Sequence, residues 1–273
     1  MKTRHFGRLS GALLAVAALI ALAAPAAQAA TPAPGYSQFA GCPSPAESST
    51  VTGCIRSVVT GGHFQMGNKD VPITNPMTLS GGIGVELKGF ANNSKGGLTP
   101  VKQLVPGGVI GLTGLDWLVN FLSLEGLKLY AVTELAGTPT VGFTDLSLPI
   151  KVHLINPVLG SKCYVGSSSS PIVLNMTTGT TSPPAPNKPI SGVFPEIGVD
   201  SGTGIATLTG GKYVDNSFAA PGANGCTLTL LGFIPISING VVNAASGLPS
   251  AAGRNETVQN ITTELVDRTL VYP

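Results

Sequence analysis

Alternation of apolar and polar residues is the clearest pattern along this chain. In residues 146–154 the apolar side chains share one face, whereas Ser147, Lys151 and His153 share the other. A period of two residues is typical of a β-strand with one buried face. Pro149 falls on the polar face, and because proline has no backbone N–H we expect an edge strand or a bulge there.

Similar runs, rich in β-branched residues and separated by Gly, Pro and Asn, predict short strands joined by turns. The predicted strands are 51–59, 63–66, 77–87, 127–135, 140–155, 172–176, 204–208 and 227–238. Residues 256–272 have a mixed pattern, in which many Thr and Val residues favour a strand over a helix. The sequence therefore predicts an all-β, β-sandwich-like fold, since an α/β fold would need regular helical periods between strands.

Helical periodicity is short and local. Residues 115–122 are predicted to form an amphipathic helix because their apolar residues are spaced four apart. These apolar residues are Trp117, Leu118, Phe121 and Leu122. They are the best candidate for an interaction surface, since monomers rarely expose a large apolar area. The alternative is a helix that closes one end of the β core. One further helical turn is expected at residues 239–245.

The first thirty residues have the organisation of an export signal. Three basic residues within the first eight precede an uncharged apolar run over residues 11–24. Ala27-Gln28-Ala29 then has the small-x-small pattern that signal peptidase recognises, so we predict a signal peptide over residues 1–29 with cleavage after Ala29. An uncleaved anchor is disfavoured because a bilayer span requires about 20 apolar residues.

The predicted mature chain has a simple organisation. Residues 30–41 are expected to be a flexible lead-in, and residues 42–273 a single β-rich domain. The proline-rich stretch 182–189 is predicted to be stiff and extended. It either connects two subdomains or crosses between sheets.

Removing the signal changes the net charge. The whole chain has 15 basic and 13 acidic residues, whereas the mature chain, 273 residues less 29, keeps 12 basic and all 13 acidic ones for a charge of −1. With so little charge and no basic cluster, nucleic-acid binding lacks an electrostatic basis. We expect no transmembrane segment in the mature chain, and a cell-envelope component or another protein as partner.

All four cysteines follow the predicted cleavage site. An even number in an exported protein indicates two disulfides, for which three connectivities exist. We favour Cys42–Cys54, which closes a short loop, and Cys163–Cys226, which joins distant segments. A zinc site is disfavoured because no two cysteines are two to four residues apart.

Candidate catalytic residues are few. The sequence around Asp200, Val-Asp-Ser-Gly-Thr, has the shape of an aspartic-protease motif, but that chemistry needs two carboxylates and no second copy exists, so we interpret it as a turn. His63 and His153 are candidate general bases, although there is no Gly-x-Ser-x-Gly nucleophile motif. Solvated strand residues are the alternative. We predict no catalytic, cofactor-binding or metal site.

Several blocks of sequence in the second half of the chain resemble segments of known proteins. They are LGSKCYVGS from Leu159, TTGTTSPPAP from Thr177, VDNSFAAPGANGC from Val214 and GLPSAAGRN from Gly247. Together they resemble a family of exported actinobacterial proteins without an assigned function, over roughly residues 36–260. The resemblance implies export, a β-rich body and the Cys163–Cys226 pairing. It implies no catalytic residue.

Three classes of function remain. The sequence favours a non-enzymatic extracellular or cell-envelope protein with a structural or interaction role. The alternative is a module that binds an apolar ligand such as a lipid, with residues 115–122 at its mouth. A secreted hydrolase using His63 or His153 is the weaker alternative. These classes require, respectively, a flat apolar patch, an apolar cavity of about 300–1,000 Å³, or a histidine within about 3 Å of Ser or Asp.

Overall fold

The computed structural model describes residues 30–87, 89–114, 124–230 and 234–273, in which strands predominate. The strands are β1 (Gly53–Met66), β2 (Lys69–Pro72), β3 (Met77–Ile83), β4 (Gly97–Leu98), β5 (Lys102–Leu104), β6 (Tyr130–Leu135), β7 (Thr140–Val141), β8 (Asp145–Ile155), β9 (Tyr164–Val165), β10 (Ile172–Thr177), β11 (Glu196–Val199), β12 (Ala206–Asp215), β13 (Ala223–Asn224), β14 (Thr227–Leu230), β15 (Ile234–Ser237) and β16 (Glu256–Asp267). The helices are α1 (Gly108–Thr113), α2 (Leu124–Leu127), α3 (Asn239–Ser246) and α4 (Arg268–Val271), with 3₁₀ turns at Ser37–Phe39, Val85–Leu87 and Pro157–Leu159. The all-β prediction is confirmed.

Fourteen of the described strands pair into one antiparallel sheet. Its main order is β13-β9-β8-β10-β12-β16-β1-β3-β4. β6 and β7 also pair with β8, β5 with β6, β11 with β12 and β2 with β1. β14 and β15 form a separate two-stranded hairpin. None of the described helices is long and apolar enough to cross a membrane.

This sheet is curled, so that strands far apart in its order pack their inner faces together. Ile55 of β1, Leu79 of β3 and Ile150 of β8 belong to one set of contacting buried apolar residues, which we call the inner cluster. Two β layers therefore face each other, as expected for a sandwich-like architecture. Here one continuous sheet supplies both layers.

The alternation predicted for residues 146–154 is confirmed in β8. Its buried inward residues are Leu146, Leu148, Ile150, Val152 and Leu154. The expectation of an edge strand is wrong, because β8 pairs with β10 on one side and β6 on the other. Pro149 is accommodated where the pairing with β6 ends, and its carbonyl accepts a hydrogen bond from the Ala136 N–H at 2.9 Å.

The predicted strands 51–59 and 63–66 are parts of one long strand, β1. Its pairing with β16 shifts register between Val59 and Gly61, which is the mark of a bulge. Gly62 follows with φ +114°, and a Cβ there would lie 1.9 Å from the Val258 carbonyl oxygen. Only glycine allows so close an approach, so the bulge lets β1 continue along β16. The strand predicted within residues 256–272 is likewise confirmed as β16.

A smaller apolar cluster lies on the opposite face of β1 and β16. This outer cluster consists of Phe39, Cys42, Val51, Cys54, Val266, Val271 and Tyr272. Cys54 and Val266 oppose each other in the register, whereas their neighbours Ile55 and Leu265 face the inner cluster. The segment predicted as a lead-in, residues 30–41, contributes Phe39, and the Ala33 N–H donates to the Val271 carbonyl at 2.8 Å.

Both predicted disulfides are present. Cys42–Cys54 lies in the outer cluster, and Cys163–Cys226 joins the segment before β9 to the segment before β14. The proline-rich stretch 182–189 also contacts the body of the protein. The Asn187 side-chain amide donates to the carbonyls of Asn216 and Asn255, at 2.9 and 2.8 Å.

Candidate functional site

An apolar cavity lies inside the curled sheet. Its lining includes the inner-cluster residues Val59, Met77, Leu148, Leu174 and Ile261, together with Met66. The total space between atoms in this interior is about 1,100 Å³, and part of it opens to solvent. The volume that the centre of a water molecule could occupy is much smaller, about 80 Å³. The cavity is therefore narrow compared with typical preformed ligand pockets of about 300–1,000 Å³.

The β1–β2 hairpin brings a positive charge to this apolar interior. Phe64 and Met66 line the cavity from β1, and Lys69 and Val71 line it from β2. The register explains the set, because Met66 pairs with Lys69 and Phe64 with Val71 on the same face. Among the described lining residues, Lys69 is the only one with a charged side chain.

The β1–β2 hairpin contacts α1 and α3 beside the cavity. The Lys69 ammonium donates a hydrogen bond to the Gly111 carbonyl of α1. The Asn68 N–H donates to the carbonyl of Ser246, the last residue of α3, at 2.9 Å. Gly67 permits this contact, since it has φ +53° and a Cβ there would lie 2.3 Å from the same Ser246 oxygen.

Ser246 itself lines the cavity. Its side chain is buried, and its Oγ has no hydrogen-bond partner among the described residues. Two other polar lining residues are paired within the protein. Ser57 Oγ lies 2.9 Å from Thr263 Oγ1, and Gln103 Oε1 accepts the backbone N–H of Thr74 at 3.0 Å. Ser246 therefore differs from Ser57 and Gln103 in that its polar side-chain atom has no hydrogen-bond partner among the described residues.

The predicted interaction patch, Trp117, Leu118, Phe121 and Leu122, lies outside the described residues. The described chain before that segment ends at Gly114, just after α1, whose Leu112 lines the cavity. The expectation that residues 115–122 form the mouth of a ligand site, or an exposed patch, stays a prediction.

His63 lies in a polar cluster on the outer side of the β1–β2 hairpin. Its Nδ1 is 2.9 Å from Asp70 Oδ1, and its Nε2 is 3.6 Å from Glu256 Oε1. The first distance is that expected of the histidine–acid pair of a hydrolase. The other ring nitrogen faces a carboxylate, however, and in the described part of the chain no hydroxyl or thiol is hydrogen-bonded to the His63 ring, since the Thr257 hydroxyl donates to the backbone carbonyl of His63 instead. The cluster links β1, β2 and β16 without presenting a nucleophile.

His153 lies in a second polar network, on the outer face of β8. Its ring stacks on Tyr164 with centroids 4.2 Å apart, and its Nδ1 is 3.6 Å from Glu134 Oε1. Lys151 Nζ is 3.3 Å from the same carboxylate. Burial, and secondly the negative charge of Glu134, raise the pKa of the Tyr164 hydroxyl. Stacking and ion pairing account for these contacts.

The motif around Asp200 forms a turn, as predicted. Asp200 Oδ1 accepts the backbone N–H groups of Gly202 and Thr203, at 2.7 and 3.2 Å. This geometry is the usual reason for aspartate in a turn. Within the described ranges, no group of three or more His, Cys, Asp or Glu side chains is arranged to hold a metal ion.

Sequence analysis missed two polar residues that line the cavity, Lys69 and Ser246. Lys69 could have been found, because it is in phase with Val71 and directly follows a Gly-Asn turn after the apolar residue Met66. Nothing in the sequence identified Ser246, since a serine in the last turn of a helix is ordinarily solvated. Comparisons of the chain with family models, with curated proteins and with solved structures found no match.

Proposed function

We propose that this chain is an exported protein that binds an apolar small molecule inside its curled sheet. The observation that supports this proposal best is the cavity, which lies between the two layers of the sheet and is lined mostly by aliphatic side chains. Transfer of apolar surface from water into such a site is favourable by about 25 cal/mol per Å².

The narrowness of the cavity restricts the shape of its ligand. About 80 Å³ of wide space suits an unbranched hydrocarbon chain better than a fused ring system. Binding of a longer chain requires lining side chains to move. Met66 and Met77 are suited to this, because methionine has an unbranched and flexible side chain that repacks readily.

Export is the second part of the proposal. The charged start, apolar run and small-x-small site of residues 1–29 support it. The Cys42–Cys54 and Cys163–Cys226 disulfides support it as well, since disulfides persist mainly in oxidising compartments outside the cytosol.

Native mass spectrometry of the protein purified from culture medium tests both parts. We expect a chain that begins at Ala30, has a mass four hydrogens below that of the reduced sequence, and carries a small apolar molecule that is lost on denaturation. Recovery of the chain only inside cells with residues 1–29 attached would overturn export. A chain that is empty as purified and also fails to take up alkanes or alkanols added in detergent-free buffer would overturn ligand binding.

A pair of variants localises any ligand to the cavity. Ala131 lines the cavity, whereas Ala219 is exposed. Ala131→Leu should abolish ligand retention because it fills the free space, and Ala219→Leu adds the same atoms at the surface and should leave retention unchanged. Equal retention by both variants would place the ligand elsewhere.

A structural or interaction role is the second candidate function, and β11 is the observation that favours it. Ile197 and Val199 are 54% and 68% exposed, although both are apolar. Among the described strands β11 pairs with β12 alone, so that its other edge is open to a strand from a partner. Ile197→Lys should then release the protein from the cell envelope into the medium. Unchanged partitioning between the two fractions would contradict this role.

A further inference from the structure

We propose that the ligand of the cavity is an amphipathic carboxylate, such as a fatty acid, whose head group is bound by Lys69 and Ser246. This inference rests on the proposed function, because it names the chemical class of molecule that the same cavity would take. Its basis is that Lys69, a cation, and Ser246, an unpaired hydroxyl, both line a mostly apolar interior.

The fold brings these two residues together from distant parts of the chain. The hydrogen bond from the Asn68 N–H to the Ser246 carbonyl fixes the turn of the β1–β2 hairpin against the end of α3. Lys69 follows Asn68 directly, and both Lys69 and Ser246 line the cavity. The backbone contact at Asn68 therefore places Lys69 and Ser246 on adjoining segments of the cavity lining.

Ser246 supplies a hydrogen-bonding group without a partner. The residue is 2% exposed, and its hydroxyl makes no hydrogen bond within the described chain. An unpaired buried hydroxyl costs free energy, so that a protein under no other demand would favour alanine at this position. A carboxylate oxygen in the cavity would accept a hydrogen bond from the hydroxyl and remove that cost.

Lys69 supplies the positive charge. An ammonium group has three donor hydrogens, and the Gly111 carbonyl is the acceptor that the described residues provide for one of them. Two other cations of the sheet are paired with carboxylates: Arg56 of β1 lies 3.2 Å from Glu264, and Lys151 of β8 lies 3.3 Å from Glu134. No carboxylate of the described residues lies within 4.0 Å of the Lys69 ammonium. A ligand carboxylate would complete an ion pair there.

The remainder of the lining selects an apolar body for the ligand. Because Ser57 and Gln103 are already hydrogen-bonded within the protein, they are poor partners for a sugar or another polyol. Apolar side chains, mainly of β1, β3 and β8, form most of the remaining lining. One anionic head and one unbranched chain match this distribution of polar and apolar groups.

Three ligands with the same chain and different heads test the inference. Decanoic acid, decanol and decylamine are titrated into the oxidised mature protein by isothermal calorimetry. We expect the acid to bind at least about tenfold more tightly than the alcohol, as is typical of a hydrogen bond to a charged group. The amine should bind most weakly, because its charge repels that of Lys69.

Variants then assign the preference to the two residues. Lys69→Met keeps the length of the side chain and should reduce the acid-to-alcohol ratio to about one, with affinity for the alcohol unchanged. Ser246→Ala should weaken binding of the acid by a smaller factor of about 2 to 10. Lys95→Met is the matched control, because Lys95 is exposed, does not line the cavity and carries the same charge. It should alter neither affinity.

The outcomes separate this inference from the proposed function. If acid and alcohol bind equally tightly to the wild-type protein, the head-group site is overturned while apolar ligand binding stands. If none of the three ligands binds, the proposed function itself fails. If circular dichroism shows that Lys69→Met does not fold, the head-group site is tested instead by the acid affinity of Ser246→Ala and by the affinity of the wild-type protein for decylamine. An unaltered acid affinity in that variant, or amine binding as tight as acid binding, would overturn the inference.

Discussion

The outer and inner clusters share β1 and β16 but differ in how completely they are filled. Phe39, Cys42, Cys54 and Val271 of the outer cluster have no exposed surface. The Tyr272 hydroxyl closes this cluster by donating to the Cys42 carbonyl at 3.0 Å. The inner cluster is larger, yet it surrounds free space and an unpaired hydroxyl.

The difference separates what holds the protein together from what is available for binding. Close packing gains dispersion energy and leaves no voids, and stability alone favours filling any space in a core. The proposed ligand would account for free space that is retained beside a well-packed region. Five substitutions or sets of substitutions test this contrast.

Truncation in the outer cluster should have the largest effect. Phe39→Ala removes a fully buried ring from a filled site and should lower the free energy of unfolding by about 3–5 kcal/mol, measured by urea denaturation. Phe143→Ala is the control, because Phe143 is 51% exposed and should change stability by less than about 0.5 kcal/mol. Similar losses in both variants would show that the outer cluster is not specially packed.

Loss of the Cys42–Cys54 disulfide should come next. Replacing both cysteines with alanine frees a loop with a sequence separation of 12 residues and should cost about 3 kcal/mol on the chain-entropy model. Thermal unfolding of the double variant measures this cost. A melting temperature equal to that of the wild-type protein would mean that packing alone holds the outer cluster.

A matched pair of enlargements compares the two clusters directly. Ala91→Leu adds three carbons against the outer cluster and should cost about 1–3 kcal/mol through overpacking. Ala131→Leu adds the same atoms beside the cavity and should be tolerated within about 1 kcal/mol, because free space is present. Equal losses of unfolding free energy would contradict the contrast between a filled and an unfilled cluster.

Replacing either of two serines that line the cavity with alanine should change the free energy of unfolding in opposite directions when the ligand is absent. Ser246→Ala removes an unpaired buried hydroxyl and should raise the free energy of unfolding by about 1 kcal/mol. Ser57→Ala breaks the hydrogen bond with Thr263 and should lower it by about 1 kcal/mol. Differential scanning calorimetry of delipidated protein resolves the two. A loss of stability in Ser246→Ala would indicate that its hydroxyl is paired in solution.

The smallest effect concerns pH at the border of the outer cluster. Hydrogen bonds from the Thr269 side chain and backbone lower the pKa of Asp267, which caps α4 just before Val271 and Tyr272. Because the folded pKa is depressed, the stabilisation is complete above the unfolded value of about 3.9 and is lost as pH falls through the folded pKa. The gap in melting temperature between wild type and Asp267→Ala should therefore be constant near neutral pH and narrow below about pH 4. A gap that widens on acidification would contradict this assignment.

Local pattern was enough to predict most of the strands. The alternation in residues 146–154 and the Thr- and Val-rich stretch at 256–272 predicted β8 and β16, because the side-chain period of a strand is a property of the backbone itself. The Asp200 turn was also predictable, because an aspartate side chain accepts hydrogen bonds from backbone N–H groups a few residues ahead. The position of Pro149 misled the prediction, since a proline at the end of one pairing resembles a proline on an edge.

The sequence by itself determined the β-rich class, the number of disulfides and, in strands such as β8, which side chains face inward, since these depend on short-range periodicity and on cysteine number. Only the tertiary structure decided that the sheet curls on itself, that a cavity remains inside it, and that Lys69 and Ser246 both line it. Those features arise from contacts between residues far apart in the chain, such as the pairing of Gly53 with Asp267 and the hydrogen bond between Asn68 and Ser246. Their geometry depends on how whole strands and helices pack, which no local pattern encodes.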